Sequence, residues 1–159
     1  MMTSAMIERE MASGGRPMGD GVFVAVVGPS GAGKDSLIAY ARSRLAGEDA
    51  IEFVRRVVTR PSDGATEDHD SLSEEAFAAD EGPGEFALSW REYGMSYGLP
   101  VGVDRGIEGG HVMVANLSRA AIPALNQRYA NVIVVEVVAD PEILAGRIAG
   151  RARESAGDI

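Results

Sequence analysis

Apolar and polar positions fall along this chain in blocks whose period changes. Residues Val22–Val27 are a continuous, mostly β-branched apolar run, the pattern of a strand buried on both faces of a parallel sheet. A glycine-rich turn follows, and from Lys34 the stretch KDSLIAYARSRLA has the spacing of an amphipathic helix ending near Gly47. Residues 51–58 predict a second strand. Ser71-Leu72-Ser73-Glu74 has the form of a capping box and predicts a short helix to about Ala79. EGPGE reads as a turn and FALSW as a short strand. Residues 111–116 and 131–139 predict two further buried strands, with a helix over 118–129 between them. Asp140-Pro141 is a helix start, an N-cap followed by proline at the first position. Strands alternating with helices predict an α/β fold built on a parallel sheet with right-handed crossovers.

The chain has 159 residues and is 45% hydrophobic, enough for one domain with one core. It has no cysteine, which excludes disulfides and thiolate metal sites, and its two histidines are too few for a histidine-built metal centre. No apolar run approaches the roughly 20 residues of a membrane span. The first 20 residues have no signal-peptide core and read as a disordered tail, so a cytoplasmic location is expected. The net charge of −9 speaks against nucleic acid as a partner. Much of that charge is local: from Pro61 to Trp90 there are acids and no Lys or Arg, which reads first as a solvated acidic surface. Only one residue of the chain is lysine, and it is Lys34, inside the glycine-rich turn.

That turn is Gly28-Pro29-Ser30-Gly31-Ala32-Gly33-Lys34, which fits G-x-x-x-x-G-K between a strand and a helix. Its glycines let backbone N–H groups converge on a phosphate, and the helix N-terminus adds partial positive charge. Lys34 is placed to neutralise charge on the phosphoryl group being transferred. ATP is the expected nucleotide. The position after the lysine normally supplies a hydroxyl to Mg²⁺. Here it holds Asp35, with Ser36 next, and either can serve as the metal ligand because Mg²⁺ accepts carboxylates and retains waters. Neither later strand ends in the aspartate that motor and switch NTPases use; residues 112–116 end in Asn116 instead.

The loop, VVTRP (57–61), FALSWREYGMSYGLP (86–100) and PEILAGRIAGRARES (141–155) together make the chain resemble guanylate-kinase-fold enzymes. It is most similar to the ribose 1,5-bisphosphate phosphokinases of bacterial phosphonate breakdown, with GPSGAGKDSL the most specific mark. The resemblance covers about Val22 to the end. It implies a P-loop kinase domain over 21–159, with a substrate-binding insert at about 61–98 and an arginine-bearing lid at about 147–159. Such folds normally end in a further strand and helix, so a C-terminal piece is expected to be absent from this chain. Residue by residue, the resemblance implies that Thr59, Arg60 and Tyr97 hold the acceptor's phosphate. A second acceptor arginine, a few residues after Arg60, is replaced by Ser62-Asp63-Gly64. Ser89 and Asn116 are assigned to the acceptor side as well, and Arg147 and Arg151 to the lid that clamps the donor phosphates. Trp90 and Phe86 read as a small core of the insert, His111 as structural, and His69 as either a substrate contact or an exposed loop histidine.

The implied reaction moves the γ-phosphoryl group of ATP, with Mg²⁺, onto ribose 1,5-bisphosphate to give phosphoribosyl diphosphate. A small-molecule sugar phosphate is the partner, and a homodimer is compatible with it. A phosphate oxygen is already anionic, so no general base is required, and none is evident. Two rivals are a GMP kinase and a catalytically inactive guanylate-kinase-like binding module or fragment. Guanylate kinases read guanine with a glutamate before Trp90 and a hydroxyl after YG, where this chain has Ser89 and Leu99.

Overall fold

The computed structural model describes residues 18–29, 31–59, 70–143 and 146. In chain order these form β1 (Val22–Val27), α1 (Lys34–Arg44), β2 (Ile51–Phe53), β3 (Val57–Val58), β4 (Asp70–Ser71) and α2 (Glu74–Glu81). They continue with β5 (Phe86–Glu92), β6 (Met95–Pro100), α3 (Gly102–Glu108), β7 (Val112–Asn116), a 3₁₀ turn (Arg119–Ala121), α4 (Ile122–Arg128) and β8 (Val132–Glu136). One four-stranded sheet runs β2-β7-β1-β8, and its pairings are all parallel. A second runs β4-β3-β6-β5, with β6 antiparallel to both its neighbours. The parallel α/β expectation is met by the first sheet; the insert is the second.

Several elements differ from the sequence reading, each for a physical reason. Residues 51–58 are two strands in different sheets. Val54 N–H still donates to the Val114 carbonyl at 2.8 Å, and then Arg55 and Arg56 carry the chain across to the second sheet. The two consecutive arginines fall in that crossing, where Arg55 is exposed and pairs with Asp70 at 3.0 Å. The β5–β6 hairpin turns at Tyr93 and Gly94, with φ of 51° and 74°. Positive φ at both central residues is the turn whose twist matches a hairpin. Tyr93 is an unusual occupant and is 86% exposed, so the pattern gave no warning of β6. Helix α3 is short and opens on glycine, yet it buries Val103, Gly106 and Ile107. The N-cap of α2 is Ser73, whose hydroxyl accepts from Ala76 N–H at 3.1 Å, while Ser71 belongs to β4. Helix 118–129 divides into the 3₁₀ turn and α4.

Strand β8, expected to be buried, lies at the sheet edge, and Ile133, Val134 and Val135 are 53%, 46% and 37% exposed. Nothing among the described residues covers it on its open side. Helix α1 likewise has no buried side chain, and Leu37 and Tyr40 are exposed. Met18, assigned to the tail, is already in place: its N–H donates to Arg128 O, and Ala130 N–H donates to Met18 O.

The core joins the two sheets. Phe23 of β1 stacks on Tyr129 at 5.6 Å, and around them lie Leu99, Ile107, Leu117 and Leu125, all nearly without exposure. The buried Tyr129 hydroxyl donates to Asp104 Oδ1 at 2.7 Å, and Arg128 grips the same carboxylate through Nε at 2.9 Å and its Nη2. Burial alone would push the Asp104 carboxyl up, but the hydrogen bonds from Arg128 and Tyr129 outweigh it and hold the group below the ordinary aspartate value. The network pins α3 to the end of α4, behind the strands that carry the phosphate loop.

Candidate active site

The glycine-rich turn leaves β1 at its C-terminal end and enters α1, as a phosphate cradle requires. Gly28 sits at φ 147°, where a Cβ would lie 2.3 Å from the Val137 carbonyl oxygen, so a side chain there would be driven into the backbone after β8. Gly33, the N-cap of α1, is left-handed at φ 98°. Lys34 begins the helix, and its Nζ donates to the Gly28 carbonyl at 2.6 Å, which holds the ammonium across the loop. Ser30 lies outside the described residues.

Asp35, in the first turn of α1, meets the end of β7: Asn116 Nδ2 donates to Asp35 Oδ1 at 2.8 Å. Asn116 was expected on the acceptor side, but its described bond goes to the loop. That bond fixes the amide, because the opposite orientation would set two oxygens against each other. The outcome is that Asn116 Oδ1 is buried with no hydrogen-bond partner among the described residues. A buried acceptor left unpaired beside a carboxylate is a donor set of oxygens that suits Mg²⁺. Ser36, the other candidate for the ion, is exposed on the outside of the helix.

The residues expected on the acceptor side divide between the two faces of the second sheet. Successive residues of a strand point to opposite faces, and directly paired residues share one. Tyr97 pairs with both Val58 and Trp90, so these three lie on the core side. Tyr97 is 6% exposed and stacks on Trp90 at 5.4 Å. Trp90 and Phe86, expected to share a small core of the insert, lie on opposite faces: Trp90 joins the main core, whereas Phe86 stacks on Phe77 of α2 at 4.6 Å. The glycine of the YG pair has a packing reason: a Cβ on Gly98 would lie 2.8 Å from the Phe86 ring.

Thr59 and Ser89 lie on the other face, under α2, and each hydroxyl donates to one of its carboxylates. Thr59 Oγ1 donates to Glu74 Oε1 at 2.7 Å and accepts from Ser96 N–H at 3.0 Å, while Ser96 Oγ donates to Glu74 Oε2 at 3.2 Å. Ser89 Oγ donates to Glu81 Oε2 at 2.6 Å, and Arg91 pairs with the same carboxylate at 3.0 Å. Those bonds, Arg91's first and then Ser89's, hold the Glu81 carboxyl below its ordinary value. Glu74 was read only as part of a capping box, and Glu81 only as a member of the acidic stretch; neither was anticipated as a partner of Thr59 or Ser89. Arg60, His69, Arg147 and Arg151 lie outside the described residues. Among the described residues, no group of three or more His, Cys, Asp or Glu could hold a metal, and no helix is long and apolar enough to cross a membrane.

No family model matches the chain. Among curated proteins it has relatives at about half identity. The chain is 48% identical to the ribose 1,5-bisphosphate phosphokinase PhnN of Chelativorans sp., over 99% of this chain and 76% of that protein. It is 51% identical to the PhnN of Rhodopseudomonas palustris over 89% of this chain and 73% of the relative, and 49% identical to that of Brucella melitensis over 87% and 72%. Among solved structures, guanylate kinase from Anaplasma phagocytophilum superposes with a TM-score of 0.65 over 89% of this chain and 73% of that one, at 20% identity, which shows a shared fold. With identities near one half over most of its length, the chain belongs to the ribose 1,5-bisphosphate phosphokinase family.

Proposed function

We propose that this protein transfers the γ-phosphoryl group of ATP to a phosphate of ribose 1,5-bisphosphate, giving 5-phosphoribosyl 1-diphosphate and ADP. The observation that carries the reading is the phosphate loop, with Lys34 held across it and the Asp35–Asn116 pair at its edge. In the step, an oxygen of the acceptor's phosphate bonds to the γ-phosphorus, and the bond from that phosphorus to the β–γ bridging oxygen breaks. The electron pair leaves with ADP. The attacking oxygen is already anionic, so this chain's residues need only align the groups and neutralise charge.

Backbone N–H groups of Ser30, Gly31, Ala32 and Gly33 cradle the phosphates, with Gly28 and Pro29 shaping the turn, and Lys34 exchanges the Gly28 carbonyl for them. Asp35 and Asn116 would hold Mg²⁺, which when bound would supply neutralisation of the donor's phosphate charge. Arg147 and Arg151 clamp the donor, and Arg60 and Tyr97 hold the acceptor. A cytoplasmic enzyme linked to phosphonate breakdown fits this reading.

GMP is disfavoured as acceptor. Ser89 directs its hydroxyl to Glu81, and Leu99 is fully buried, so neither offers guanine a polar partner. Polar recognition left unmade costs orders of magnitude in discrimination. The test compares ATP consumption with ribose 1,5-bisphosphate and with GMP, with products identified by ³¹P NMR. Diphosphate formation on the ribose compound is expected; a preference for GMP would reassign the enzyme.

A further inference from the structure

We infer that Glu74 is a positioning residue of the acceptor site, acting through Thr59, whose hydroxyl braces that site and does not ligate the acceptor's phosphate. The inference rests on the proposed phosphorylated acceptor and deepens it by separating a brace from a ligand. Glu74 lies in the first turn of α2, and both oxygens of its carboxylate reach the sheet beneath the helix. Oε1 accepts from Thr59 Oγ1 at 2.7 Å, and Oε2 accepts from Ser96 Oγ at 3.2 Å. Thr59 and Ser96 are also joined to each other. Thr59 N–H donates to the Ser96 carbonyl at 3.1 Å, and Ser96 N–H donates to Thr59 Oγ1 at 3.0 Å.

The sequence of β3 explains why a side chain closes the set. The strand is only two residues long, and at its end the Thr59 hydroxyl takes the Ser96 N–H in place of a backbone carbonyl. Ser96 is 2% exposed, and a buried hydroxyl requires a partner, which Glu74 supplies. The three residues thereby tie α2 to β3 and β6 where the proposed acceptor ligands attach. Tyr97 follows Ser96 and pairs with Val58, the neighbour of Thr59, and Arg60 is the next residue of the chain.

Counting protons separates the two roles. A threonine hydroxyl has a single proton to donate, and a carboxylate can only accept, so the Thr59 proton belongs to Glu74. A phosphate oxygen needs a donor, and what remains on Thr59 is a lone pair. Charge argues the same way. An anionic oxygen at hydrogen-bond distance from Thr59 Oγ1 would stand within about 5.4 Å of the Glu74 carboxylate, close enough for strong repulsion. The same bonds that disqualify Thr59 as a ligand make it rigid, which is what a brace requires.

The test measures binding of ribose 1,5-bisphosphate and of GMP by calorimetry without nucleotide, then steady-state KM for ATP and for the acceptor, in the full chain. Glu74→Ala gives opposite signs for the two roles. If Thr59 is a brace, it loses its anchor, and binding of whichever acceptor the wild type takes should weaken about tenfold with KM for ATP unchanged. If Thr59 is a ligand, the freed proton and the removed charge should tighten that binding. Glu74→Gln, which keeps one acceptor for Thr59, should weaken it less, and its sign decides the question even where Glu74→Ala does not fold. Thr59→Val should weaken acceptor binding and Thr59→Ser restore it, and adding Thr59→Val to Glu74→Ala should cost little more than either alone. Glu75→Gln, the same loss of charge at the next, exposed residue, should leave acceptor binding as it is. Tighter binding in either Glu74 variant, unchanged binding in Glu74→Ala, or a Thr59→Val penalty undiminished in that background overturns the inference. A wild type that prefers GMP overturns the ribose assignment, yet the same signs must then appear with GMP. A wild type that binds neither acceptor overturns both.

Discussion

Replacing Asn116 by alanine separates a metal-site role from a packing role, because the structure predicts opposite results for the two. The Asn116 Nδ2 bond to Asp35 at 2.8 Å is charge-assisted, and its loss costs about 1.5–3 kcal/mol of orientation at the carboxylate. The same substitution deletes the buried, unpaired Oδ1, which returns about 1–3 kcal/mol of desolvation. The two nearly cancel in the folding equilibrium. The melting temperature of Asn116→Ala should therefore stay within a few degrees of wild type, at roughly 2–4 °C per kcal/mol for a chain of this size. Metal affinity has no such compensation. Losing both the group that orients Asp35 and the free oxygen beside it should weaken the ion by about tenfold to a hundredfold. Electron paramagnetic resonance of Mn²⁺ in the presence of ADP reads that affinity without turnover, and a Mg²⁺ titration of the steady-state rate reads it with turnover. Unchanged Mn²⁺ affinity would refute the reasoning. A melting temperature lowered by ten degrees or more would show that Asn116 is a structural residue instead.

Lys34→Ala should abolish phosphoryl transfer with the far-ultraviolet circular dichroism retained, since its ammonium lies on the loop and not in the core; residual turnover above about one hundredth would reject its role. Asp35→Ala should raise the Mg²⁺ requirement far more than Ser36→Ala, because Asp35 meets Asn116 while Ser36 is exposed; the reverse order in a Mg²⁺ titration would move the ligand to Ser36. Asp104→Asn leaves Arg128 unneutralised and Tyr129 with a weaker acceptor, and should cost about 2 kcal/mol, or about 4–8 °C in melting temperature. The Asp104 carboxyl is lowered in the folded state, so its stabilisation is present above the unfolded value of about 3.9 and is lost as pH falls through the lower folded value. The wild-type advantage in a melting series should thus be full at pH 6 and shrink below about pH 4; an advantage independent of pH would argue against the ionised pair.

The phosphate loop was legible because it is a local device. A glycine in the left-handed region at the helix N-cap, a lysine beside it and a flanking strand and helix are set by sequence neighbours, as Gly33 and Lys34 show, although the need for glycine at Gly28 comes from the distant Val137 carbonyl. The same holds for the long apolar strand β1 and for the proline-marked start at Asp140, whose carboxylate accepts from Glu142 N–H at 3.1 Å. What the sequence could not decide depends on partners distant along the chain. Asn116 and Asp35 are 81 residues apart and meet only because β7 lies beside β1. Whether 131–139 is buried depends on what pairs beyond β8, not on its own apolar residues. Which of two adjacent arginines meets Asp70 and which lies over the Tyr97 ring is settled by strand register: one residue of slip would exchange Arg55 and Arg56. Local propensity fixes the glycine-rich turn between β1 and α1, whereas the pairing of strands decides which distant side chains, such as Asp35 and Asn116, come together.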